Sequence, residues 1–174
     1  LSGGTTDALL VEPGEPVFTV TPAARSLDLK AGQAVDRVGL MLGLTFPCGP
    51  SLSALAESCH EPIKVRPTMK GADCCLSGIE NQCRKLLDSG KPPAYVARYC
   101  LISIEAALEG MTKALLERYG PLPLVYAGGV MSSSVIRPYF ERKYGGYFAE
   151  PAFSSDNAAG IALLAAVSAG ESVR

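Results

Sequence analysis

Two adjacent glycines, Gly128 and Gly129, are the residues of this chain whose type and position best suit contact with a ligand, because they follow the apolar run 122–126. Glycine has no Cβ, so the backbone at such a pair can approach a ligand closely, and its N–H groups can donate hydrogen bonds to phosphate oxygens. A tight strand-to-helix connection that needs positive φ is the alternative interpretation. The pair therefore predicts a nucleotide-binding turn or a purely structural one.

Two aspartates could supply the charged groups of such a site. Asp156 opens the segment Asp156-Asn157-Ala158-Ala159, where a carboxylate suits a divalent cation and also suits an ordinary helix N-cap. Asp36 suits sugar hydroxyls because a carboxylate accepts two hydrogen bonds at once. An ion pair with Lys30 or Arg37 is the alternative for Asp36.

The composition is that of one ordinary globular domain spanning residues 1–174. Hydrophobic residues make up 48% of the chain, charged residues 19%, and the formal net charge is −1, which excludes a disordered chain and a generally basic one. A polyanion would therefore need a local patch or another subunit. Arg137, Arg142 and Lys143 form the one candidate basic edge, with a solvated helix face as the alternative.

The six cysteines show no repeated short spacing and no Cys-x-x-Cys pair, so reduced thiols in a cytoplasmic protein are expected rather than a disulfide framework or a structural zinc site. The single histidine, His60, lies beside Cys59, but no third group to orient a nucleophile is identifiable, so we expect a surface histidine. No apolar run reaches the ~20 residues of a membrane helix, and no secretory leader is recognised. Because the chain starts at Leu1, we expect a piece of a longer polypeptide.

The residue pattern alternates strands and helices after an initial hairpin, which predicts a mixed sheet covered by helices. Ser51 is the expected cap of the second helix, Ser77 and Glu80 form a predicted capping box, and Ser132 or Ser133 is the expected cap of the fifth helix. The predicted elements are strands at 5–11 and 16–21, helices at 28–44 and 52–57, a loop at 58–72, helices at 77–87 and 92–119, a buried strand at 122–126, a helix ending near 143, a strand at 147–149 and a helix from 156 to about 168.

Six motifs in this order resemble the second half of the Gcp/TsaD family, historically called O-sialoglycoprotein endopeptidases or glycoproteases. The resemblance covers most of the chain, and it depends on the order of the motifs rather than on any one of them. The motifs are Ser2-Gly3-Gly4-Thr5-Thr6, residues 31–37 (AGQAVDR), residues 43–50 (GLTFPCGP), Leu76-Ser77-Gly78-Ile79, Gly128-Gly129-Val130 with Arg137, and Asp156-Asn157-Ala158-Ala159.

The resemblance implies an α/β fold, the ribonuclease H-like C-terminal lobe of the actin-like ATPase superfamily, with a mixed sheet flanked by helices. It also implies N6-threonylcarbamoylation of adenosine in tRNA, with an adenine nucleotide and a divalent metal ion (iron, zinc or magnesium) bound only in the full-length protein. The implied partners are the missing N-terminal lobe, a paralogous subunit and tRNA held by the complete complex. The isolated lobe is predicted to be inactive, and nothing in it supplies a peptidase nucleophile.

The family's site residues carry over to matching positions of this chain as expectations. The implied roles are phosphate and acyl contact for Ser2, Gly3 and Gly4, ribose contact for Asp36 and Gly49, adenosine contact for Gly128 and Gly129, nucleotide contact for Ser133, and metal ligation for Asp156.

The chain departs from the family at four positions. The family commonly has His at Thr5, Gly at Cys48, Lys at Glu80 and Asn at Ser133. These departures predict a divergent member or one with a different acyl or nucleotide ligand, and they leave open the alternative of a non-catalytic paralogue that acts as a partner-binding subunit of the tRNA-modification complex.

Overall fold

The structure is a computed structural model that describes residues 4–15, 17–150, 152 and 158–170. The described elements, in chain order, are β1 (Asp7–Pro13), β2 (Phe18–Arg25), α1 (Ala31–Met41), α2 (Gly49–Glu57), β3 (Thr68–Lys70), β4 (Asp73–Cys75), α3 (Ser77–Asp88), α4 (Pro93–Tyr119), β5 (Val125–Tyr126), a 3₁₀ helix (Gly129–Ser132), α5 (Ile136–Tyr144), β6 (Tyr147–Phe148) and α6 (Ala158–Ser168). The α/β class expected from the sequence is confirmed. Among these helices, none has the length and apolar character that a membrane span needs.

The central packing element is α4, as its length and apolar pattern predicted. Its 27 residues contact α1, α2, α3 and α5. Val96, Cys100, Ile104 and Leu108 recur every fourth residue along one face, and all four are buried. Because residues four apart lie above one another on a helix, this stripe gives the other helices one continuous apolar surface to cover.

The strands form three separate two-stranded sheets in the described chain rather than the single mixed sheet that we expected. The pairs β1–β2 and β3–β4 are antiparallel, and β5–β6 is parallel. A single bridge between Ser26 and Cys74 joins the first two pairs. The later strands have only two or three residues, which is too few for the ladders that merge sheets.

The segment 58–72, expected to be a loop, contains β3 and opens a hairpin. Gly71, at φ 62°, provides the left-handed residue that the two-residue turn between β3 and β4 requires. Strands of three residues are too short to show a periodic pattern, so the sequence carried no strand signal here. The strand expected at 122–126 is also shorter than predicted, and its Val125 is 73% exposed because β5 pairs only with β6 in the described chain.

The capping box predicted at Ser77 and Glu80 is wrong, and a distant carboxylate holds the start of α3 instead. Asp28 accepts hydrogen bonds from the backbone N–H groups of Leu76 at 2.7 Å and Ser77 at 3.3 Å, and from the Ser77 hydroxyl at 2.6 Å. It also accepts the N–H of Leu29 at 2.6 Å. Burial opposes ionisation of Asp28, but these hydrogen bonds outweigh it and lower the pKa of the carboxyl.

All six cysteines are free thiols, as the sequence predicted. Five of them are buried, namely Cys48, Cys59, Cys74, Cys83 and Cys100, and Cys75 is partly exposed. Burial raises the pKa of Cys74 to about 11, against the opposing effect of a hydrogen bond with Ser26.

We predict that Asp28→Ala lowers the free energy of unfolding by about 1 to 2 kcal/mol, the usual range for loss of a helix cap. The N–H groups of Leu76 and Ser77 would lose their acceptor. Because the chain has no tryptophan, urea unfolding followed by circular dichroism is the suitable measurement. Asp88→Ala, at the other end of α3, is the control, and equal losses in the two variants would contradict the role given to Asp28.

Candidate functional site

The predicted ribose contact, Asp36, lies on α1 and binds the start of α2. Its Oδ1 accepts a hydrogen bond of 2.9 Å from the backbone N–H of Cys48, the residue before Gly49. The cap expected at Ser51 is wrong, because α2 begins at Gly49, three residues before the predicted start at Leu52, with Pro50 in its first turn. The contact fixes the two predicted ribose-contacting residues, Asp36 and Gly49, next to one another.

The charge of Asp36 is not neutralised by the partners that its alternative interpretation required. Arg37 pairs with Glu80 at 3.1 Å, and the Lys30 ammonium donates to the Ser26 carbonyl at 3.1 Å. Within the part of the chain that the structure describes, the hydrogen bond of the Asp36 side chain is made through Oδ1. Its second oxygen has the chemistry to accept a hydrogen bond from a ligand hydroxyl.

The glycine pair lies at the end of β5, as predicted, and a 3₁₀ helix follows it. Gly128 has φ 96°, a left-handed conformation that favours glycine, so the structural interpretation of this residue holds on backbone grounds alone. Gly129 is exposed at the first position of the 3₁₀ helix. The pair therefore combines a structural requirement at one glycine with an accessible backbone at the other.

Ser133 joins this turn to α2. Its Oγ lies 2.9 Å from Oγ of Ser53, and it accepts the N–H of Val135 at 3.3 Å. Ser133 is 8% exposed, so its hydroxyl points into the protein in this structure. Ser133 also contributes to the start of α5: its Oγ accepts the N–H of Val135 and its carbonyl accepts the N–H of Arg137, although α5 itself begins at Ile136 with Val135 as its N-cap residue.

Two side-chain hydrogen bonds thus connect three of the predicted site segments. Asp36 joins α1 to the start of α2, and the Ser53–Ser133 pair joins α2 to the turn after the 3₁₀ helix. The 3₁₀ helix also contacts α1 directly. The structure therefore brings Asp36, Gly49 and the glycine turn into one neighbourhood.

Three predicted site residues, Ser2, Gly3 and Asp156, lie outside the described residues. Gly4 is described and is exposed. Beside it, Thr6 is fully buried, and its hydroxyl accepts the N–H of Ala31 at 2.8 Å at the start of α1. No local spacing in the sequence reveals this contact of Thr6, because the threonine precedes a β-strand and the helix start that it binds is distant in the chain.

The glycines near the site differ in what a side chain would meet. Apart from its chain neighbours and its own helix backbone, a Cβ on Gly49 or Gly129 would meet no heavy atom within 4 Å among the residues that the structure describes, so open space lies beside each. A Cβ on Gly39, in α1, would instead collide with the Cβ and Sγ of Cys48. Packing within the chain thus requires glycine at position 39 and does not require it at position 49.

Cys48, where the family has glycine, is accommodated by that same Gly39. The Cys48 side chain is fully buried, and burial, with a smaller effect of Asp36, raises the pKa of its thiol. The additional volume of the cysteine therefore lies against α1. It does not narrow the open side of Gly49.

The basic edge that we considered for tRNA is largely engaged within the protein. Arg137 pairs with Glu141 at 2.6 Å and lies over the Phe148 ring. Lys143 pairs with Glu109 and donates to the Tyr139 hydroxyl at 2.8 Å. Two of its three cations are thus neutralised or partnered, which favours the interpretation as a structural helix face.

Two glutamates one turn apart on α4, Glu105 and Glu109, face α5, and their pKa values are shifted in opposite directions. Burial opposes ionisation of Glu109, but hydrogen bonds from Lys113, Lys143 and Tyr139 lower its pKa to about 2. Glu105 is 8% exposed; burial and then the charge of Glu109 raise its pKa to about 7, against the opposing effects of Arg98, Arg142 and Lys143. Glu105 is therefore a group whose ionisation costs stability near neutral pH.

The described residues contain no group of three or more His, Cys, Asp or Glu side chains arranged to hold a metal ion. They therefore do not by themselves fit the metal centre that the resemblance implies. A cleft of about 200 Å³ between β4, α3 and α4 includes none of the predicted site residues and lies outside this neighbourhood.

We predict that Gly39→Ala destabilises the protein by about 1 to 3 kcal/mol, because the new methyl group would overpack α1 against Cys48. Gly49→Ala should leave the free energy of unfolding within about 0.5 kcal/mol of the parent, since its Cβ would enter open space. Thermal melts of the two variants test the contrast directly. Equal stability of the two variants would show that the packing around Cys48 is not as described.

We predict that stability falls as pH rises from 4.5 to about 7 because of Glu105. A carboxyl whose pKa is raised in the folded state binds its proton more tightly when folded, and this advantage is lost once the pH exceeds the folded value. Glu105→Gln should therefore raise the melting temperature by a few degrees at pH 8 and change it little at pH 5. Glu117→Gln, exposed on the same helix, is the control, and a pH-independent effect of Glu105→Gln would contradict the assignment.

Comparison with known proteins places these motifs in a family. The sequence model of TsaD, described as tRNA N6-adenosine threonylcarbamoyltransferase, matches residues 1–163. Three proteins of that name are similar to this chain. The one from Thermus thermophilus is 33% identical over 79% of this chain and 44% of its own length. Those from Nautilia profundicola and Chloroherpeton thalassium are 32% and 28% identical, each over 95% of this chain, and the match covers 52% and 53% of their own lengths.

The chain spans about half the length of these curated relatives. The match nevertheless includes every motif of the neighbourhood around Asp36, Gly49 and the glycine turn. On this extent of similarity, the chain belongs to the TsaD family of tRNA N6-adenosine threonylcarbamoyltransferases.

Proposed function

We propose that this chain is the C-terminal, nucleotide-binding half of a tRNA N6-adenosine threonylcarbamoyltransferase. In this proposal it is a ribonuclease H-like lobe of the actin-like ATPase type and supplies one wall of the site for the threonylcarbamoyl adenylate. The remaining half of the protein supplies the opposite wall. The chain alone transfers no acyl group, because the reaction needs both reactants held together in a site shielded from water.

The observation that carries the proposal is the pairing of an un-neutralised carboxylate with a glycine that internal packing does not require. Asp36 is fixed by Cys48 N–H with its ion-pair partners engaged elsewhere. Gly49, the next residue after Cys48, has open space where a Cβ would lie. A ribose placed there would meet a carboxylate oxygen and an unobstructed backbone, which is the requirement for recognising sugar hydroxyls at close range.

The roles of the other site residues follow the same division. Gly129 offers an accessible backbone alongside the adenosine, and Ser2, Gly3 and Gly4 are assigned to the phosphate and acyl groups. We assign Ser133 the task of fixing the glycine turn to α2, since its hydroxyl is already paired with Ser53. Asp156 remains the proposed contribution of this chain to a metal ion whose other ligands lie outside it; such an ion would supply Lewis acidity to the carbamoyl group.

Three of the four departures from the family pattern, those at Cys48, Glu80 and Ser133, do not favour a non-catalytic paralogue. Cys48 is accommodated by Gly39, Glu80 pairs with Arg37, and Ser133 pairs with Ser53. Each of these three departures therefore has a partner within the fold. A divergent member with an intact nucleotide wall accounts for these positions.

We predict that Gly49→Val, made in the full-length protein, lowers the affinity for ADP, measured by titration calorimetry, by at least tenfold, because the side chain would occupy the open space beside Asp36. Gly78→Val is the matched control: Gly78 also lies in the first turn of a helix and also has open space around it, but on α3. Parallel loss of binding in both variants, or none in either, would contradict the placement of the nucleotide at Gly49.

A further inference from the structure

One face of the β1–β2 hairpin carries three successive apolar pairs towards its tip, beyond a charged pair, Asp7 and Arg25, at its base. The register pairs Leu9 with Pro22, Val11 with Val20, and Pro13 with Phe18. Because side chains alternate across a strand, these three pairs lie on the same face of the hairpin. We call it the apolar hairpin face.

The opposite face of the hairpin is polar towards its tip. Glu12 pairs with Thr19, and Leu10 with Thr21. At its base, Ala8 and Ala24 pack against the core. This face therefore provides the attachment of the hairpin to the described protein, and the apolar hairpin face points away from that attachment.

The apolar hairpin face is exposed in spite of its composition. Leu9 is 55% exposed, Val11 57%, Val20 45% and Phe18 38%. Antiparallel sheets usually turn their apolar side inward and their polar side to water. A two-stranded hairpin is also marginal without a covering layer, so this surface indicates a contact that the described residues do not provide.

The size of the face argues against a separate molecule as its occupant. The four exposed side chains offer on the order of 400 Å², about half of what one partner contributes to a standard protein interface. A second copy of the chain would have to offset the entropy of association with this small area. A segment of the same polypeptide avoids most of that cost because it is held at high effective concentration.

We propose that an amphipathic helix packs on the apolar hairpin face, and that this helix belongs to the half of the TsaD polypeptide that this chain does not span. This inference rests on the proposed function, which makes the chain one half of a longer protein. The chain covers 44% to 53% of its curated relatives, so a comparable length of polypeptide is available. A two-stranded face is about as wide as one helix of ~10 Å diameter.

The test uses a fusion in which the part of the Thermus thermophilus relative that this chain does not span is joined upstream of Leu1. Val20→Lys places a charge on the apolar hairpin face, and Thr21→Lys places one on the other face at the next residue of the same strand. Both variants are made in the fusion and in the chain alone, and their melting temperatures are measured by calorimetry.

In the fusion, Val20→Lys should lower the melting temperature by about 5 °C or more, and Thr21→Lys should lower it by less than about 2 °C. In the chain alone, each variant should lower the melting temperature by less than about 2 °C. A harmless Val20→Lys in the fusion would overturn the inference. An equal loss in the chain alone would overturn it too, because the face would then be covered by the chain itself. A dimer of the parent chain in light scattering, dissociated by Val20→Lys, would overturn it by assigning the face to a second copy.

Transfer of threonylcarbamoyl to tRNA by the same fusion separates this inference from the proposed function. A fusion that shows the Val20-specific loss of stability but neither binds nucleotide nor transfers the group would refute the proposed function and support the helix contact on the apolar hairpin face. An active fusion that tolerates Val20→Lys would support the proposed function and refute the helix contact.

Discussion

Burial of one face of α4 is the constraint on which the other elements depend. The stripe of Val96, Cys100, Ile104 and Leu108 is covered from several sides by α1, α2, α3 and α5. Hydrophobic burial is not directional, so it explains why these helices cluster and not how each is placed. Their placement comes from a few polar contacts at the helix starts, of which those of Asp28 and Asp36 are the clearest.

These two carboxylates show that the fold and the candidate site use the same kind of contact. Each accepts a backbone N–H at the start of a helix that is distant in sequence: Asp28 for α3 and Asp36 for α2. A helix start has unpaired N–H groups and a partial positive charge, so a carboxylate from another element stabilises it and also fixes its position. At α2 this arrangement leaves a charged group beside a glycine with open space, and so a structural contact becomes a candidate binding contact.

Elements with an extended apolar pattern or a clear turn signal could be predicted from the sequence. Contacts between residues that are far apart in the chain could not. The helix at α4 and the hairpin β1–β2 follow from apolar spacing and from a Pro-Gly turn. The start of α3 was assigned to Ser77 and Glu80 because they have local capping spacing, whereas the actual acceptor, Asp28, lies 48 residues before Leu76. In the same way, the residue type and motif context of Asp36 suggested ligand contact, but nothing local indicated that Cys48 N–H would hold one of its oxygens.

The distribution of the thiols has a chemical consequence of its own. Five cysteines are buried, and burial raises the pKa of two of them, Cys48 and Cys74, and so suppresses the thiolate form that reacts with electrophiles and oxidants. Cys75 stands apart at the end of β4 with partial exposure. A maleimide reagent would therefore react with the partly exposed Cys75 ahead of the five buried thiols, and a single fluorophore or spin label could be attached to the native protein without removing any cysteine.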